Sequence, residues 1–364
     1  MRKHAAAVIL LAALQGYGLA QTAPVPDPQL MRRPPAKAPS AAAQAGRLRL
    51  DVTVRDAQDK PVSGLDPSDF QLTDTGKPAK ILSFHGFDGL AAKPAPPVEV
   101  ILVIDEVNLP FQQIAFVRSE LTRFLNQNGS KLAQPVSLMR MTDKGLRVQP
   151  RPTQDGGALV KVVSQIQGEI GYINPAMGGD GALERFQISE RGMATIAENE
   201  AARPGRKLLI WIGPGWPMLE GTRYETPDTR NRQRYFDAIV ELTNKLREAR
   251  ITVNTVSGVG GDSSYALFYQ RFLKGVVSPK VASSGNLALK VVATQTGGRI
   301  LGPSNDLVEQ MNQVTAAANA FYSVSFNPPA AGNAEEYHEL KVQVSKPGLT
   351  ARTTAGYYFQ TPGN

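Results

Sequence analysis

Cysteine is absent from the 364-residue chain, and histidine occurs only three times. The first absence excludes disulfides, cysteine-based zinc centres, iron–sulfur clusters, thiol nucleophiles and lipid attachment to a cysteine. The second leaves His85 and His338 as the stock of imidazole acid–base groups, because His4 falls in a targeting-type segment. Triad and zinc-hydrolase chemistry therefore start poor. Neither a Gly-x-Ser-x-Gly elbow nor a His-Glu-x-x-His pair occurs. Apolar runs are short: Val98–Ile104 and Lys207–Ile212 read as buried strands, not membrane spans. What remains is globular composition, with 42% hydrophobic and 20% charged residues, enough for a sizeable core and more than one domain. The formal net charge is +8, yet the basic residues are scattered. The nearest approach to a cluster is Arg223, Arg230, Arg232 and Arg234, interleaved with Glu225, Asp228 and Asp237, which reads as a solvated helix start. Nucleic acid is not an expected partner.

The N-terminus carries an address. Met1-Arg2-Lys3-His4 is a positive start, Ala5–Leu14 an apolar stretch too short to anchor, and Gly18-Leu19-Ala20 a small-x-small cleavage site. Residues 1–20 are thus expected to be a signal peptide, and the mature protein to be secreted or periplasmic with no transmembrane segment. Residues 21–47 form a Pro/Ala-rich linker, and Ala91–Pro97 a second one.

Between the linkers, Leu48, Leu50, Val52 and Val54 alternate with polar residues, and Phe70–Leu72 and Ile81–Phe84 supply two more short strands. This 48–90 module is too small to bury a core alone. The 320–364 segment has the same habit in Tyr322–Phe326, Leu340–Val344 and Leu349–Tyr358. The two are expected to form one all-β unit bracketing the central region; two separate β extensions are the alternative. From 98 to 319 strand and helix patterns alternate: strands at Val98–Ile104, Val136–Met141, Lys207–Ile212, Ile251–Val256 and Gly298–Leu301, and helices at Gln112–Asn126, Gly157–Ile166, Ile188–Asn199, Arg232–Arg250, Asn286–Thr296 and Asp306–Ala317. Fully apolar strands are those of a parallel sheet covered on both faces. The predicted fold class is α/β, a doubly wound, mostly parallel sheet.

Val100–Asp105 leading into a loop and helix resembles the von Willebrand factor type A domain. Val52–Asp56, Pro61–Phe70, Pro204–Trp211, Ala293–Gly298, Pro347–Leu349 and Gly356–Tyr358 follow in an order that resembles an exported type A-related family first described from acidobacteria. The resemblance covers about residues 48–358. It implies a binding or adhesion module, and in many type A domains Mg²⁺ at the C-terminal edge of the sheet. There, Asp-x-Ser-x-Ser after the first strand, a later Thr and an Asp after the fourth strand supply hard oxygens. Here Asp105 matches the first ligand, but Val107 and Leu109 stand in the serine positions and Gly213-Pro214-Gly215-Trp216 follows the fourth strand. Asp105 and Asn108 are the degenerate remnant of a metal site. The expectation is no cofactor and no specific Mg²⁺, with Asp105 instead capping the next helix or bracing the loop.

Ligands of open α/β sheets bind at the C-terminal edge. The segments expected there are Glu106–Phe111, Gly171–Phe186, Gly213–Arg230 and Gly258–Ser284, with Glu106, Asp180 and Trp216 as candidate ligand-binding residues. Gly178–Gly181 and Gly258–Gly261 lack the context of phosphate-binding turns and read as loops. Trp216 is either an exposed aromatic anchor or a ring packed on its own loop. The expected function is a non-catalytic module recognising an exported protein or envelope glycan. The alternatives are a hydrolase using Asp105, Glu106 and Asp143, or a scaffold subunit of an envelope complex. N-terminal sequencing of protein recovered outside the cytoplasm is expected to read from Gln21 or within a few residues of it; retention of Met1 would contradict the signal assignment.

Overall fold

The computed structural model describes residues 47–89, 93–149, 151–166, 178–219, 228–258, 267–316, 318–329, 332–333 and 335–360. The signal segment, nearly all of the first linker and residues 167–177, 220–227 and 259–266 lie outside them.

The central region is a seven-stranded sheet built on β5 (Glu99–Asp105). β6 (Lys131–Thr142) pairs with it in parallel on one side and β9 (Lys207–Ile212) on the other. Beyond β9 come the parallel strands β10 (Ile251–Val256) and β11 (Ile300–Leu301). β7 (Gly145–Val148) folds back on β6 through the Asp143-Lys144 turn, and β8 (Thr153–Asp155) pairs with the start of β6. Every residue of β5 and β9 is buried. Alternate residues serve opposite faces. Ile101, Val103, Leu209 and Trp211 pack against α4 (Gly178–Ala201), α5 (Thr229–Glu248) and α6 (Leu289–Gln295). Val100, Leu102, Ile104, Leu208 and Ile210 pack against α1 (Phe111–Leu125), α3 (Gly156–Ser164) and α7 (Leu307–Thr315). Two-sided burial explains why these strands carry no polar alternation. This is the α/β architecture expected, with helices on both faces.

The starts of α3, α5 and α7 are set by acidic caps. Asp155 accepts from the Ala158 N–H at 3.0 Å, Asp228 from Asn231 at 2.7 Å and Asp306 from Glu309 at 3.0 Å. α4 differs from expectation: Gly178-Gly179-Asp180-Gly181 opens the helix instead of forming a loop. Glycine weakens helix propensity, and further along the same helix the lack of a side chain serves packing. A Cβ on Gly192 would come within 1.9 Å of Met141 Cε, so α4 lies directly on β6.

The flanking segments pair with each other. β1 (Leu48–Arg55) lies antiparallel between β12 (Ala320–Phe326) and β14 (Thr350–Arg352), and β4 (Ser83–Asp88) pairs with the far side of β12. A second sheet has the order β15 (Gly356–Tyr358), β13 (Tyr337–Val344), β2 (Phe70–Asp74), β3 (Lys77–Pro78). Leu50, Val52, Phe70, Leu72, Tyr322, Val324 and Leu340 fill the space between the sheets. The Tyr322 hydroxyl donates to the Val62 carbonyl at 2.9 Å and accepts from the Leu65 N–H at 3.2 Å.

This sandwich docks at the N-terminal ends of the parallel strands. Arg250, just before β10, pairs with Asp51 at 2.6 Å, and the Arg206 guanidinium, just before β9, sits 4.7 Å over the Phe321 ring. Tyr358 exchanges two hydrogen bonds with Asn244 of α5. The Tyr358 hydroxyl also donates to the Val276 carbonyl at 2.9 Å, so the described part of the 258–284 segment packs on the sandwich and not at the C-terminal edge where the sequence reading put it. Deleting residues 320–364 removes the strands on both sides of β1, so limited proteolysis is expected to cut the 48–88 segment at least tenfold faster than in the full chain; equal resistance would mean that the segment folds alone.

Candidate functional site

At the C-terminal edge β5 ends in Asp105, whose side chain lies on the α4/α5 face and is fully buried. One oxygen accepts from the Asn108 backbone N–H at 3.1 Å, and both accept from the Asn108 amide at 3.0 Å. Oδ2 also accepts the Trp211 indole N–H at 2.8 Å. The same Asn108 amide donates to Ser189 Oγ on α4 at 3.0 Å. Asp105 is thus a loop brace, not a helix cap: α1 begins after Pro110 with no side-chain cap. Burial pushes the Asp105 carboxyl up to about 6, outweighing the hydrogen bonds from Trp211 and Asn108 that pull it down.

The position where the type A pattern would place a second acid is Gly213. A Cβ there would stand 2.8 Å from Asp105 Cβ, so no larger residue fits beside this carboxylate. Val107 packs on one apolar cluster and Leu109 on the other, plugging the loop to both faces of the sheet. Glu106 leans the other way, toward β6, and forms a two-pronged ion pair with Arg140, its Oε2 accepting from Nη2 at 2.7 Å.

These residues do not fit a divalent cation. Mg²⁺ needs several oxygens with free lone pairs. Asp105 has its oxygens turned toward N–H groups, and Asn108 presents its NH₂ to the same spot. The groups at positions 107, 109 and 213 offer no side-chain oxygen.

The other candidates are scattered. Trp216 is not an exposed anchor: it is buried and packs edge-on against Trp211, ring centroids 5.4 Å apart. Asp180 is exposed in the first turn of α4. Asp143 sits in the β6–β7 turn. Asp143 is thus at the same edge as Asp105, whose register partner on β6 is Met141, while Asp105 and Glu106 point to different partners. Both described histidines belong to the sandwich, His338 bonded to Asp74 at 2.7 Å and His85 edge-on to Phe87. Of the edge segments, residues 171–177, 220–227 and 259–266 lie outside the described residues.

Three residues at this edge escaped the sequence reading: Trp211, Ser189 and Arg185. A buried tryptophan needs an acceptor for its N–H, and Asp105 ends the neighbouring strand, so that bond was in principle inferable. Arg185 was hidden because residues up to 186 read as a loop. Its guanidinium is half-buried near Asp105; burial lowers its pKa, and the Asp105 charge raises it.

No family model matches the chain, and no curated protein matches it. Among solved structures it is similar to a von Willebrand factor type A protein from Catenulispora acidiphila, at 11% identity and a TM-score of 0.35, over 88% of this chain and 76% of that one. It is similar to the manganese-loaded TRAP protein of Plasmodium vivax, at 10% identity and a TM-score of 0.33, over 78% of this chain and 97% of that one. The human COPII-coat protein Sec24c shares 10% identity at a TM-score of 0.33, over 75% of this chain, which spans less than half (44%) of that protein. The α/β assignment stands on the strand order itself.

Asp105 generates a pH prediction. Its folded pKa lies above the ordinary carboxylate value, so between about pH 4 and pH 7 the folded state holds this proton more tightly than the unfolded chain. Stability from this group is therefore lost as pH rises through about 6, by roughly 3 kcal/mol at most. Urea denaturation of wild type and Asp105→Asn at pH 4.5 and 7.5 is expected to show this component in the wild type alone; parallel changes in both would refute it.

Proposed function

We propose that the chain is an exported, non-catalytic recognition module that binds a protein partner through the C-terminal edge of its central sheet. The observation that carries this reading is the state of the carboxylates there: Asp105 is saturated with N–H donors and Glu106 is paired with Arg140. Hydrolysis by a pair of carboxylates needs both groups free to meet a substrate. The docking of the sandwich at the opposite ends of the strands supports the choice of edge, as does Phe111, an aromatic side chain 54% exposed at the start of α1. The signal-like N-terminus and the order of motifs resembling an exported type A-related family support export and adhesion-type binding.

The test is capture of partners from an envelope fraction by the immobilised chain, followed by affinity measurement on each partner identified. Phe111→Asp is expected to weaken binding at least tenfold, and Leu82→Asp, on the sandwich, to leave it within twofold. Binding that survives Phe111→Asp but fails with Leu82→Asp would move the site to the sandwich, and turnover of a partner or glycan would overturn the non-catalytic reading.

A further inference from the structure

Four arginines line one cleft at the junction between the central sheet and the sandwich. Arg206 stands just before β9 and Arg299 just before β11, while Arg55 ends β1 and Arg352 ends β14. The cleft offers about 370 Å³ of space, its open mouth included. Arg206 is buried, Arg55 and Arg299 keep 13% and 17% of their side-chain surface, and Arg352 is exposed. The guanidiniums thus run from the floor of the cleft to its mouth. Gly297 and Arg352 line a larger groove as well, between the end of α6 and strands β13 and β14.

This charge is not balanced from within. Asp59 pairs with both Arg55 and Arg299, and Asp51 is occupied by its two-pronged pair with Arg250. Neither Arg206 nor Arg352 has an ion-pair partner among the described residues. Arg206 gives Nη1 to the Ala318 carbonyl at 2.9 Å, and its buried Nε has no partner among the described residues. The Arg352 guanidinium reaches the Gly298 carbonyl at 3.4 Å. Burial lowers the Arg206 pKa to about 10, and the charges of Arg250 and Arg55 add to this against the pull of Asp51. Burial lowers that of Arg299 too, helped by Arg55 and Arg352 and opposed by Asp59. Four guanidiniums that feel one another therefore share a single carboxylate, Asp59.

We propose that this cleft is a second binding site, distinct from the C-terminal edge, and that it takes a tetrahedral dianion, a phosphate or sulfate group, between the sheet and the sandwich. Guanidinium forks match the oxygens of such a group, and several can share it because it presents oxygens in every direction. An excess of positive charge in a partly dry cleft favours a dianion over a monoanion, since the attraction scales with ligand charge. The adjoining groove leaves room for the rest of a molecule that bears the group.

Isothermal titration calorimetry of the full chain tests this at about pH 7.5 and about 0.15 M ionic strength, where phosphate is mainly a dianion and exposed charges are screened. Inorganic phosphate and sulfate are expected to give saturable isotherms, with acetate and chloride at least about tenfold weaker. Arg352→Gln is expected to weaken both dianions about fivefold, and Arg299→Gln about tenfold or more. Arg352 is exposed and carries no ion pair among the described residues, so its variant keeps the fold. Arg123→Gln, an exposed arginine on α1, is expected to change nothing. No saturable binding, acetate as tight as phosphate, wild-type affinity in Arg352→Gln, or an equal loss in Arg123→Gln overturns the proposal. Glucose 6-phosphate separates the sources: binding no weaker than inorganic phosphate supports an esterified group with its remainder in the groove, and weaker binding supports the free ion.

Discussion

One buried carboxylate organises the C-terminal edge of the sheet. Asp105 sits at the end of the central strand with no solvent contact, and its charge is held by the backbone and amide of Asn108 and by the indole of Trp211. Each donor brings a different element: the loop after β5, the neighbouring β9 and, through Ser189, helix α4. A buried anion without such donors would be strongly destabilising, so the surrounding residues are constrained together. Glycine follows β9 because the Asp105 side chain fills the adjoining space. Trp216 then covers Trp211 from the side. The loop that could have held a cation is closed from within, and Arg185 is the positive charge it faces.

The opposite edge is organised by a buried cation. Lys207 opens β9, and its ammonium donates to the carbonyls of Glu200 at 3.0 Å and Ala249 at 2.9 Å, as well as to Arg203. These carbonyls lie at the C-terminal ends of α4 and α5, where the helix dipoles favour positive charge. Arg206, Arg250 and Arg299 continue the layer outward, reaching Phe321, Asp51 and Asp59 of the sandwich. The two ends of one sheet thus divide their work: Lys207 and the arginines join it to a second core, and the other end gathers the buried Asp105 with its donors and the Glu106–Arg140 pair.

Hydrophobic pattern carried most of the fold. Val100–Ile104 and Leu208–Ile212 read as strands buried on both faces, and the 3–4 spacing of Ile114, Val117, Leu121 and Leu125 matches one packed stripe. The start of α4 was misread because its glycines oppose helix by propensity, whereas close approach to Met141 favours a small residue later in the same helix. Trp216 could not be assigned from its neighbours, since its packing partner lies on the preceding strand. The departures from the metal-binding pattern were legible as missing oxygens. Their positive content was not: the Trp211–Asp105 bond joins residues 106 apart, and Arg185 meets Asp105 only once α4 is laid on the sheet.

The pairing of the chain's beginning with its end has a consequence for how the molecule is made. Thr53 donates to the carbonyl of Arg352, 299 residues later, although the strands between them form a sheet of their own. During synthesis at about 5–20 residues per second, β1 waits on the order of tens of seconds for its neighbours. Through that interval its apolar face and both edges are open to other strands. The strands of the central sheet have partners closer in sequence, so among the described strands β1 is made before all the others and its neighbours β12 and β14 come late.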